Sequence, residues 1–104
     1  MKLKIIIGII IGFMIQSVFA QKGELTGNIK DKEFNDVLPF ANVTIKGTSI
    51  GTTSDFEGNY SLTMGPGEYT VVFSFIGYET LEISEVKIKD KEVTEVNASI
   101  GPLS

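Results

Sequence analysis

The chain has 104 residues, with 13 Asp and Glu against 9 Lys, and neither histidine nor cysteine. Without His or Cys there is no Ser–His or Cys–His nucleophile pair, no His/Cys zinc site and no disulfide framework, and the length leaves room for one domain. The formal net charge of −4 and the absence of arginine exclude nucleic acid as an expected partner, because phosphate backbones are held by clustered Lys and Arg.

Residues 1–20 read as an export signal and are set aside from the fold. Lys2 and Lys4 form a positive n-region, Ile5 to Ile15 an apolar core, and Val18-Phe19-Ala20 puts short side chains at a signal-peptidase site. The apolar run is shorter than the roughly 20 residues of a membrane span, so cleavage is expected rather than an uncleaved anchor. Gln21, not Cys, follows the cut, which argues against a lipoprotein. The exported chain, residues 21–104, keeps seven lysines against all thirteen acids, a net charge of −6. It should not span the membrane, and its acidity argues against docking on anionic lipid by charge alone.

From Gln21 onward the signals are those of strands and turns. Leu25 to Ile29 predicts a first strand, followed by a polar loop from Lys30 to Asp36. Ala41, Val43 and Ile45 alternate with Asn42, Thr44 and Lys46 as a second strand, and Pro39 suits the approach to it. Thr52 to Ser54 is a short third strand. Asp55 to Asn59 is turn chemistry: Asp and Asn bond their own main chain, and Gly58 takes positive φ freely.

Tyr60 to Met64 alternates again and stops at Gly65-Pro66-Gly67. Tyr69 to Ile76 carries bulk on both faces, as a central strand does, and Gly77-Tyr78 ends it in a bulge or bend. Leu81 to Ile88 reads as one strand broken near Ser84-Glu85. Lys89-Asp90-Lys91 is a turn, and Val93 to Ile100 forms a last strand. About seven strands with frequent turns and no helix predict an all-β sandwich or small barrel. Val43, Ile45, Leu62, Val71 and Phe73 are its expected core.

The run PFANVTIKGTSIGTTSDFEGNYSL, followed by GEYTVVFSFIGYETLEI, resembles the carboxypeptidase regulatory-like domain over residues 23–100. That resemblance implies an Ig-like or transthyretin-like β-sandwich with Greek-key connections, spanning residues 21–104. It also implies a role: a non-catalytic accessory module, often found behind the signal peptide of TonB-dependent outer-membrane receptors that import nutrients. The implied setting is the periplasmic side of the outer membrane, and the implied partners are envelope proteins, including the receptor's own plug and barrel. A free-standing exported module that binds protein or glycan is the alternative. An enzyme's regulatory domain comes third.

No catalytic, cofactor or metal residue is assigned. Asp55, Glu57 and Asn59 invite comparison with a calcium loop, but Gly58 stands at the fourth position, not the sixth, and no closing Glu follows. An architectural turn is expected. Asn42-Val43-Thr44 and Asn97-Ala98-Ser99 match a glycosylation sequon but fall within predicted strands, and no site is assigned to them. Tyr69, Phe73, Phe75 and Tyr78 are expected to serve the core. Phe34, Phe40, Phe56 and Tyr60, in or beside loops, are the candidates for an exposed patch.

Overall fold

The computed structural model describes residues 21–104, so the expected export signal and its cleavage site lie outside the described residues. Two sheets pack face to face. In the first, β1 (Gly23–Asp31) pairs antiparallel with β4 (Asn59–Met64) on one side. Its other side pairs parallel with β7 (Val93–Glu95) and β8 (Ala98–Ile100). The second sheet is antiparallel, in the order β3 (Gly51–Thr53), β2 (Asn42–Ile45), β5 (Gly67–Ser74), β6 (Leu81–Ile88). Links between β2 and β3 and between β5 and β6 stay within that sheet. The chain changes sheet between β1 and β2, β3 and β4, β4 and β5, and β6 and β7.

Alternation along the strands builds the core. Val43 and Ile45 of β2, Tyr60, Leu62 and Met64 of β4, Val71 and Phe73 of β5, and Val86 and Ile88 of β6 are all buried. Their polar neighbours Asn42, Thr44, Ser61 and Thr63 face water. All five expected core residues are therefore inside. Tyr69 of β5 and Phe75 and Tyr78 just after it are half-buried against the same cluster, so these aromatic residues serve packing, as expected.

Three expectations about strands need adjustment. β1 runs on to Asp31, which is buried, instead of giving way to a loop at Lys30. β6 is continuous, but its register against β5 slips between Tyr69 and Val71, and Glu85 sits at φ 60°. The break expected near Ser84-Glu85 is thus a bulge, where one extra residue bends the strand. The last strand is two strands, not one, because Asn97 interrupts it. There the Asn97 side-chain Oδ1 takes over the ladder and accepts from the Asn28 N–H at 2.9 Å. The described residues thus hold eight strands.

Among the described residues, no helix is long and apolar enough to cross a membrane.

A candidate interaction surface at one pole of the sandwich

The strands end in register, so the connecting segments gather at two poles. One pole holds residues 32–41, 54–58, 75–80 and the C-terminal segment from residue 101. The other holds the entry to β1, the β2–β3 and β4–β5 turns, and residues 89–92. Of the large apolar side chains that stay exposed, Phe34, Val37, Phe40, Phe56, Ile76 and Leu103 lie at the first pole. Among the described residues, Ile50 and Val93 lie toward the second.

The centre of this surface is set by Ser54. Its buried hydroxyl donates to the Leu38 carbonyl at 2.6 Å and accepts from the Ala41 N–H at 2.9 Å. The backbone between adds two bonds, Phe40 N–H to the Ser54 carbonyl and Ser54 N–H to the Ala41 carbonyl. This clamp holds Phe40 at φ 61°, a left-handed conformation that costs a bulky residue about 1–3 kcal/mol. The result is an outward ring: Phe40 is 55% exposed and packs edge-on against Phe56, itself 79% exposed, with centroids 5.0 Å apart.

Phe56 is carried by the turn expected from Asp55 to Asn59. The Asp55 carboxylate accepts from the Glu57 and Asn59 N–H groups, each at 2.9 Å, and Gly58 stands at φ 81°. The turn is fastened to β1 by the Ile29 N–H, which donates to the Gly58 carbonyl, and by Asn28 Nδ2, which donates to the Glu57 carbonyl. One Asp55 oxygen thus serves two backbone donors, the architectural use of this acid. Among the described residues, no group of three or more acids gathers as metal ligands would.

A second anchor joins the first loop to the β5–β6 turn. Asp31 Oδ1 accepts from the Glu33 and Phe34 N–H groups, and Oδ2 accepts from the Tyr78 hydroxyl at 2.5 Å. The Tyr78 hydroxyl foremost, then the Phe34 N–H, holds the Asp31 carboxyl below the usual range; burial opposes this and the Glu33 N–H adds to it. The same bond, with burial and the neighbouring negative charges, pushes the Tyr78 phenol up. Leu103 is placed by its N–H, which donates to the Gly77 carbonyl.

Of the four aromatic residues expected in a patch, Phe34, Phe40 and Phe56 are exposed at this pole. Tyr60 is not. It is the first inward residue of β4, 4% exposed, with its ring edge-on to Phe73 across the two sheets and its hydroxyl donating to the Val96 carbonyl. Burial, with the Glu95 charge, pushes its phenol well above the ordinary value. Position beside a turn suggested exposure, whereas the strand's alternation decided the opposite. Val37 and Leu103 had no local signal, because isolated apolar residues in loops are common, whereas Ile76 was expected at the end of the central strand and instead lies exposed beyond β5, which stops at Ser74. The two sequon asparagines are exposed, Asn42 on β2 and Asn97 in the link where its side chain bonds β1.

Comparison with known proteins agrees with this architecture. The CarboxypepD_reg-like domain family model matches residues 25–101. The chain is 42% identical over 84 residues to the TonB-dependent receptor P39 of Formosa agariphila, covering 81% of this chain and 8% of the receptor. It is 37% identical over 97 residues to the TonB-dependent receptor SusC of Bacteroides thetaiotaomicron, covering 89% of this chain and 10% of the receptor. The chain therefore spans a tenth or less of the length of these relatives. Among solved structures, a cohesin–X-dockerin complex of Acetivibrio cellulolyticus superposes with a TM-score of 0.64 at 24% identity, over 73% of this chain and 52% of that one. The Bacillus anthracis TIE protein does so with a TM-score of 0.59 at 18% identity, over 80% of this chain and 17% of that one. These likenesses are of fold. With the family match running from the third residue of β1 to the residue after β8, the chain belongs to the CarboxypepD_reg-like domain family.

Proposed function

We propose that this chain is an exported, non-catalytic interaction module, the accessory sandwich of a TonB-dependent receptor, acting on the periplasmic side of the outer membrane. The observation that carries the reading is the way the relatives align. Most of this chain corresponds to 8–10% of much longer receptors, as a self-contained accessory unit would. The residue inventory supports a role without chemistry, since His, the commonest general acid–base, and Cys, a common nucleophile, are absent. An exposed pole of aromatic side chains on a rigid sandwich supplies what a binding module needs.

Two measurements test this. Intact mass of the protein recovered from the cell envelope should correspond to a chain beginning at Gln21; a mass that retains residues 1–20 would point to an anchored protein. The coding frame beyond Ser104 should continue into a plug and a long series of alternating amphipathic strands. A stop codon with no such continuation would replace this reading with a free-standing exported module.

A further inference from the structure

We propose that the pole bearing Phe34, Phe40 and Phe56 is a docking surface for a protein segment that carries both basic and apolar side chains. This rests on reading the chain as an interaction module and names the partner chemistry of that module. The apolar half of the argument is the uneven distribution described above, with exposed rings at one pole and two isolated aliphatics toward the other. Phe40 sharpens it, because a strained backbone and a buried serine clamp hold that ring outside, where it contributes little to the core.

The basic half comes from charge. The loops of this pole carry one lysine, Lys32, against five exposed carboxylates: Glu33, Asp36, Asp55, Glu57 and Glu79. The opposite pole carries Lys22, Lys89 and Lys91 against Asp90 and Glu92, and Lys46, just after β2, is paired with Glu82 at 3.0 Å. The module is therefore electrically polar as well as acidic. Because salt screens exposed charges beyond about 8 Å, an incoming surface feels the local pole and not the net charge. Glu33 adjoins Phe34 in the chain, and Asp55 and Glu57 stand on either side of Phe56, so a partner that covers the rings must bring positive charge or leave those carboxylates without a counter-charge.

The same charges weigh against other occupants. A second copy docking pole to pole would set five carboxylates against five. An anionic membrane would be repelled. A purely apolar segment would cover the rings but leave the acidic rim unmatched.

The test is selection of random peptides displayed on phage against the purified exported chain, followed by fluorescence anisotropy with synthetic copies of the selected peptides. The expected result is enrichment of sequences that combine Lys or Arg with aromatic or aliphatic residues, bound less tightly as salt rises. Phe56→Ser and Glu57→Lys should each weaken binding by about tenfold or more, the scale of an interface hot spot. Phe56 is 79% exposed, so its replacement leaves the core intact. Val93→Ser, toward the other pole, should change nothing.

Several results would overturn the proposal: no enrichment, enrichment of acidic or purely apolar peptides, or binding that survives both variants. So would a concentration-dependent dimer in sedimentation that Phe56→Ser dissolves, which would make a second copy the occupant. Co-sedimentation with anionic vesicles would assign the pole to lipid. None of these results changes the mature mass or the downstream coding frame, so failure here is separable from failure of the receptor-module reading.

Discussion

Gly27 offers the sharpest test of how the two ends of the chain are joined. It lies in β1 opposite Tyr60, beside the link between β7 and β8. A β-carbon there would stand 1.9 Å from the Val96 carbonyl oxygen and 2.7 Å from both the Val96 carbonyl carbon and the Tyr60 ring. Real β-carbons essentially never approach within 3.0 Å, so Gly27→Ala must push the β7–β8 link away from β1 by more than 1 Å. Three hydrogen bonds cross that gap: Val96 N–H to the Thr26 carbonyl at 2.8 Å, Asn28 N–H to Asn97 Oδ1 at 2.9 Å, and the Tyr60 hydroxyl to the Val96 carbonyl at 2.5 Å.

At about 0.5–1.5 kcal/mol net for each bond, their loss amounts to roughly 1.5–4.5 kcal/mol. A domain of this size has about 4–12 kcal/mol in total, so the variant should be crippled but still partly folded. With a urea m-value of about 1 kcal/mol/M, the midpoint should fall by roughly 1.5–4.5 M. Gly65→Ala is the matched control. A β-carbon at Gly65 meets nothing within 4 Å, and the backbone there is outside the left-handed region. That variant should leave the midpoint unchanged or raise it, because alanine lowers the entropy of the unfolded chain. A Gly27→Ala midpoint no lower than that of Gly65→Ala would refute the argument that close approach of β1 to the Val96 carbonyl requires glycine.

Other expectations follow from the same physical terms. Phe73 is fully buried and meets Tyr60 across the sheets, so Phe73→Ala should cost about 3–5 kcal/mol in chemical denaturation. Gly58→Ala should lower the melting temperature through both its positive φ and the Ile29 carbonyl 2.7 Å from the new β-carbon. Asp55→Ala should lower it by removing the acceptor of two N–H groups, and millimolar calcium should change neither variant nor the wild type in a thermal melt. The Asp31 carboxyl is held below its ordinary value, so its contribution to stability is present above about pH 4 and is lost as pH falls through the lowered value. In melts recorded from neutral to strongly acidic pH, Tyr78→Phe should be destabilised relative to the wild type near neutrality, and that gap should narrow on acidification.

The strands were legible in the sequence because a half-buried strand writes its two environments into alternate residues. Val43 and Ile45 against Asn42 and Thr44, or Tyr60, Leu62 and Met64 against Ser61 and Thr63, are local patterns that need no partner to be read. The turn at Asp55 was legible for the same reason, since its hydrogen bonds close within five residues. The break at Ser84-Glu85 was visible as a lapse in alternation, although its nature as a bulge depends on the register against β5.

What escaped was settled at a distance. Asp31 was read as part of the polar loop from Lys30 to Asp36, yet it is buried, and Tyr78, 47 residues away, supplies a donor that makes its burial tolerable. Asn97 splits the last strand by bonding to Asn28, 69 residues earlier, a contact with no trace in its own neighbourhood. Tyr60 was offered to the surface by its place after a turn, and the opposing sheet took it inside. The sequence by itself determined which residues form strands, which face inward and which turn is built on Asp55, because those choices depend on neighbours along the chain. Only the tertiary structure decided that Phe34, Val37, Phe40, Phe56, Ile76 and Leu103 share one acidic pole. Loops scattered over some seventy residues meet there because the strands that carry them end at the same side of the sandwich.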